Sequence, residues 1–167
     1  MFGMATVDTR DDATRGGGLP RGVAERPALL IHKLGSEVMR RAERPLEEMG
    51  LNGRQYTALA VLQSDAPTSQ AELARMCGLL PAQLVAVVDE LERDGLAERR
   101  RDDADRRRSV VRLTPKGRRL LARGDALAAR IEDELLGHLD PAQRARLHDV
   151  LRQALEPSWP LPAHDAE

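Results

Sequence analysis

Ten lysines and arginines fall between Arg99 and Arg119, inside the stretch GLAERRRDDADRRRSVVRLTPKGRRLL that runs from Gly95 to Leu121. Only three aspartates, Asp102, Asp103 and Asp105, stand against them. Guanidinium groups at this density bind phosphate well, through charge and paired N–H donors. The formal net charge of the chain is −1, so the rest of it is acidic and the positive charge is concentrated rather than spread. Concentration of that kind is the electrostatic footprint of a nucleic-acid contact. Lysine occurs only at Lys33 and Lys116, so the abundance of arginine reflects coding bias as easily as selection. The clustering carries the argument, and the abundance does not.

The basic segment also has internal punctuation. Leu96–Arg101 and Ser109–Leu113 have strand character and flank an aspartate-rich turn, after which Thr114-Pro115 opens a helix. Asp105 and Arg107 alternate on the turn, which lets the carboxylate hold the guanidinium ready for a narrow, A·T-rich minor groove. Arg106 competes for that role, because turn geometry decides which of the two points outward. Arg99, Arg100, Arg101 and Arg108 suit phosphates better than bases. The bland alternative is a turn whose charges neutralise one another in solvent.

Other residues invite weaker assignments. Ser69 and Gln70 begin a helix, where backbone N–H groups can receive a phosphate, although plain capping explains them too. Gln83 carries a side chain able to make a bidentate contact with adenine. Cys77 is the only cysteine, so no intramolecular disulfide can form; a buried, inert thiol is the better reading than a redox switch. His32 could hydrogen-bond a ligand carboxylate or phenol, against the plainer reading of an interface or surface histidine. His138, His148 and His164 have no metal-ligand spacing, so neither metal nor cofactor is expected. A glycine-rich phosphate loop, a nucleophile elbow and a Ser/His/Asp arrangement are all missing, which argues against an enzyme.

The elements that must position these groups read mainly as helices. With 167 residues and 2% aromatics, the core has to be built from Leu, Val, Ala and Met, which suits packed helices better than a sandwich. Residues 1–26 lack apolar periodicity and read as a disordered tail. Pro27 starts a helix carrying Leu30, Leu34, Val38 and Met39, which Pro45 should kink and Gly50 should end. Asn52 caps a second helix with Tyr56, Leu59 and Leu62, and a loop with Asp65 and Pro67 follows. Ser69-Gln70-Ala71-Glu72 is a capping box opening a short helix that stops at Gly78. Pro81 begins the next, with Leu84, Val87, Val88 and Leu91 on one face and Gly95 as its stop. Two short helices about a tight turn, followed by strand–turn–strand, make a winged helix-turn-helix. Thr114 then caps a long helix, Asp140-Pro141 caps a last one, and residues 157–167, including Trp159, form a flexible tail. No apolar run approaches the ~18–20 residues a bilayer requires, and no secretory signal is visible, so a cytoplasmic protein is expected.

At this point the chain resembles the MarR-type transcriptional regulators over roughly 27–155. The resemblance is carried by LNGRQYTALAVL, TSQAELARMCGL, VDELERDGLAERR and above all DADRRRSVVRLTPKGRRLL, where Asp105-Arg106-Arg107 precede Leu113-Thr114 and Gly117 at the family's spacing. It implies a dimerisation helix over 27–50, a winged helix-turn-helix over 51–114 with its wing near 96–113, and dimerisation helices over 115–156. It further implies a homodimer on a pseudo-palindromic operator, with recognition helices in successive major grooves, wings in flanking minor grooves, and often release by a small-molecule effector. A repressor follows as the expected output. One departure stands out: the recognition helix opens Leu80-Pro81-Ala82-Gln83-Leu84-Val85-Ala86, where the family usually carries Ser, Arg or Thr. The thinness of that base readout keeps a second reading open, a winged helix that docks other proteins and binds DNA weakly.

Overall fold

In a computed structural model, residues 19–63, 68–101 and 109–156 are described, and they fall into two compact units divided between Glu37 and Val38. The element order is α1 (Arg21–Ala24), α2 (Pro27–Glu48), α3 (Gly53–Val61), β1 (Thr68–Ser69), α4 (Gln70–Met76), α5 (Pro81–Arg93), β2 (Ala97–Arg101), β3 (Ser109–Leu113), α6 (Pro115–Leu136) and α7 (Pro141–Leu155). In the first unit, α1 is a single turn held by an Arg21–Glu25 pair, and the Ser36 hydroxyl donates to the His32 carbonyl on α2. This corrects the expectation that residues up to 26 are all tail.

The second unit holds the core. Leu59, Leu73, Leu84, Leu91, Leu96 and Leu121 are its largest fully buried side chains, joined by Val88, Val110 and Val111. These are the apolar faces of α3, α4, α5, α6 and the hairpin, so the winged helix-turn-helix is packed on aliphatic carbon, as the low aromatic content required.

Three helices end by one device. Gly50, Gly78 and Gly95 all have positive φ, at 76°, 64° and 67°. In each case the following leucine donates its N–H five residues back: Leu51 to Leu46, Leu79 to Ala74 and Leu96 to Leu91. This six-residue closure satisfies the last carbonyls and turns the leucine back toward the interior. Helix starts are equally local. Asn52, Ser69 and Asp140 each form a reciprocal capping box with Gln55, Glu72 and Gln143.

Two features depart from expectation. Pro45 does not interrupt α2, which runs on to Glu48. Proline in a helix interior costs ~3 kcal/mol, but here it lies in the last turn, where few bonds remain to lose. Buried Leu46 and Leu51 anchor the chain on its far side. The second departure is a third strand. Thr68 pairs with Val111 and Ser69 with Val110, so the sheet order is β1-β3-β2, all antiparallel. A two-residue strand has no periodicity to read; it forms because the β3 edge has unsatisfied backbone groups.

Candidate nucleic-acid interface

The helix-turn-helix is α4, the Gly78 turn and α5. At the mouth of α4 the Ser69 hydroxyl is committed: it donates to Glu72 Oε2 at 2.7 Å and accepts the Glu72 N–H at 3.3 Å. Glu72 also takes the Ser69 N–H at 2.9 Å. Ser69 and Gln70 are half-buried. What this end offers a phosphate is the first-turn backbone N–H groups, with the serine acting as the cap.

On α5 the core face is Leu84, Val87, Val88 and Leu91. The opposite face presents Ala82, Val85, Ala86, Asp89 and Arg93, all exposed. Leu80 precedes the helix and supplies no side-chain acceptor. Gln83 repairs that lack, since its Oε1 accepts the Leu80 N–H at 3.1 Å. The carbonyl end of Gln83 is therefore occupied, whereas bidentate adenine recognition needs both ends free.

The wing begins at β2, and Arg99 stands differently from expectation. It is half-buried and its guanidinium turns back onto α5, 2.7 Å from Asp89 Oδ1 and paired also with Glu92. Its backbone N–H donates to the other Glu92 oxygen at 2.6 Å. Burial lowers the Arg99 pKa, but the hydrogen bonds that its guanidinium donates to Asp89 and Glu92 more than offset this and hold it above its ordinary value. Arg99 is thus a strut between recognition helix and wing, its charge neutralised where it stands. Arg100 leans on Glu98 at 2.8 Å, and Arg101 is exposed at the end of β2. Asp105, Arg106, Arg107 and Arg108 lie outside the described residues.

The corner between α5 and β2 is clamped by groups that charge reasoning passed over. Thr114 Oγ1 lies 2.7 Å from the Gly95 carbonyl and accepts the Gly117 N–H at 3.0 Å. Lys116 Nζ donates to the Asp94 carbonyl at 2.7 Å. A threonine before a proline signals a helix start, but its donation back across 19 residues has no local signature. Beside this corner is an open groove of about 590 Å³ lined by Met49, Gly50, Asp94, Leu96, Lys116, Arg119, Leu120 and Arg123. Lys116, Arg119 and Arg123 follow at i, i+3 and i+7 and make one basic stripe over the apolar floor of Leu96 and Leu120.

The remaining candidates are separate. His32 is exposed on the first unit's part of α2. Cys77 is half-buried against the core at the end of α4, and burial pushes its thiol up to about 11. Among the described residues no group of three or more His, Cys, Asp or Glu is placed to hold a metal ion, and no single helix is long and apolar enough to cross a membrane.

Comparison with known proteins places this geometry. A model of the MarR family matches residues 49–108, from the end of α2 to the wing. The HTH-type transcriptional repressor NicR of Pseudomonas putida is 29% identical over 106 residues, covering 64% of this chain and 67% of that one. The transcriptional repressor CouR, in a structure bound to a 23-mer DNA duplex, is 30% identical with a TM-score of 0.71, covering 83% of this chain and 99% of that one. CouR from Rhodococcus jostii RHA1 bound to p-coumaroyl-CoA gives 26% identity and a TM-score of 0.73, covering 87% and 100%. These are regulators, not enzymes, and the chain belongs to the MarR family of transcriptional regulators.

Proposed function

We propose that this regulator works as a homodimeric repressor on a pseudo-palindromic operator, each subunit placing α5 in a major groove and its wing in the adjoining minor groove. The observation that carries the reading is the Arg99 strut, which fixes the basic hairpin to the outward face of α5 so that both reach one duplex together. Arg106 and Arg107 are the proposed minor-groove residues, and Arg101, Arg108 and the first-turn N–H groups beyond Ser69 and Gln70 the proposed phosphate contacts. Dimerisation is supported by apolar side chains left uncovered on the outer helices. Met39 on α2 is 53% exposed, and Val150 and Leu155 on α7 are 54% and 57% exposed. A 15-residue helix with no buried residue is marginal by itself, and a second copy would cover it.

A small-molecule effector belongs to the proposal. CouR holds p-coumaroyl-CoA, and the groove under Lys116, Arg119 and Arg123 combines cations with an apolar floor suited to an anionic organic molecule. His32 is the alternative contact for such a ligand.

Leu80, 68% exposed at the mouth of the recognition helix, favours the second reading, a protein-docking winged helix. Fluorescence polarisation against the DNA upstream of the gene and a shuffled control, at two salt concentrations, separates the two. A preference of ~10³-fold with a steep salt slope supports the regulator. Weak, equal binding to both duplexes overturns it in favour of the docking module.

A further inference from the structure

The outward stripe of α5, Ala82, Val85, Ala86, Asp89 and Arg93, follows at i, i+3, i+4, i+7 and i+11, so these side chains line one face. Along its first three turns the polar groups are missing or partly engaged. Pro81 has no N–H, Gln83 Oε1 accepts from Leu80, and Asp89 is paired with Arg99. Apart from the Gln83 amide nitrogen, what remains exposed at the start of the helix is hydrocarbon: Leu80, Ala82, Val85 at 43%, and Ala86. Single exposed aliphatic side chains are ordinary, but a contiguous apolar stripe rimmed by polar groups marks a contact.

The surroundings say what kind of contact this is. Arg75, Arg93 and Arg101 are exposed on the adjacent helix, the same helix and the wing, and Leu80 offers no side-chain cap to the N–H groups of Ala82 and Gln83. A narrow apolar stripe with small alanines on both sides of Val85, on a motif that also exposes these arginines, fits a major groove, where cations meet phosphates and the helix can approach the base edges. The hydrocarbon that a major groove offers is the C5 methyl of thymine.

We infer that this chain recognises its operator through thymine methyl groups, read by Val85 with Ala82, Ala86 and Leu80, rather than through a glutamine–adenine pair. The inference rests on the DNA-binding reading above. Gln83 caps the helix and fixes the pose of Leu80, so it is a positioning residue.

The experiment starts by selecting bound duplexes from a random pool with the full chain. Each thymidine of the enriched site is then replaced by deoxyuridine, which removes one methyl and leaves base pairing and protein untouched. A buried methyl-sized group corresponds to roughly fourfold in affinity. Losses of that size at particular thymidines in each half-site are expected. Val85→Ala, an exposed position that leaves the fold alone, should abolish the thymidine–deoxyuridine difference at one of them, and Gln83→Ala should leave it in place. An enriched site that tolerates deoxyuridine throughout overturns the inference while the regulator stands. So does loss of the thymidine preference in Gln83→Ala but not in Val85→Ala. A pool that yields no enriched sequence overturns both.

Discussion

Arg99 reaches back from the first wing strand to Asp89, 2.7 Å away on the outward face of the recognition helix, and grips Glu92 three residues further along. Two carboxylates on one helix face, i and i+3, hold one guanidinium in a fork that a lysine could not match. The pair does two things at once. It ties β2 to α5, and it neutralises the Asp89 carboxylate on the outward face of that helix.

A strut and a phosphate contact predict different salt dependences of binding. Arg99→Ala should weaken operator binding by about 1–3 kcal/mol while leaving the slope of log K against log salt unchanged. Had Arg99 neutralised a phosphate, the slope would fall by ~0.9. A polarisation titration over a salt series decides it, and a reduced slope would return Arg99 to the phosphate contacts. Because the carboxylates are left uncompensated in Arg99→Ala, the double variant with Asp89→Asn should recover part of the loss.

The Thr114–Gly95 clamp depends on a close approach that only glycine permits. A Cβ on Gly117 would overlap the Leu96 carbonyl oxygen and come within 2.9 Å of its carbon, and both are backbone atoms with no room to yield. Gly117→Ala should therefore destabilise the protein by ~1–3 kcal/mol or more, as overpacking does. Thr114→Val keeps the shape but loses the cap and the bond to the Gly95 carbonyl, for ~1–2 kcal/mol. Thermal unfolding measures both. An unshifted midpoint for Gly117→Ala would show that α6 can slide on the corner.

The features that could be anticipated are those set by neighbours in sequence. Gly50-Leu51, Gly78-Leu79 and Gly95-Leu96 end helices through bonds five residues back, and the Asn52, Ser69 and Asp140 boxes begin them through bonds three residues forward. Short-range chemistry of this kind is written in the residue types. The long-range partners are not. Nothing local distinguishes Arg99, held by α5, from exposed Arg101 two residues on, since both share one side of β2. Likewise Gln83 reads as a base-contacting residue until its bond to Leu80 is seen, because polarity alone cannot tell a cap from a reader.

Cys77 should behave as a protected thiol. Burial raises its pKa from 9.0 to about 11, so thiolate is scarce at neutral pH. Alkylation of the native protein near pH 8 is expected to be far slower than in denaturant, and mild peroxide should leave DNA binding intact. Native reactivity equal to that of the denatured chain would reopen a redox role.

Tyr56 is the chain's only tyrosine, so its titration can be followed by tyrosinate absorbance without assignment. Its hydroxyl donates to Asp125 Oδ1 at 3.0 Å, tying α3 to α6. Burial first, then the bond to Asp125 and the carboxylate's charge, push its pKa from 10.0 to about 12. The neutral phenol is thus favoured in the folded state over the unfolded one. The stability this confers is complete below pH 10, the unfolded value, and is lost as pH rises through about 12. Cys77 acts in the same direction between 9 and about 11. Unfolding free energy in denaturant should therefore hold level from neutral pH to about 9 and then decline, more steeply in the parent than in Tyr56→Phe. A native tyrosine midpoint near 10 would mean that the Asp125 bond does not persist in solution and that α3 and α6 are held by their apolar contacts alone.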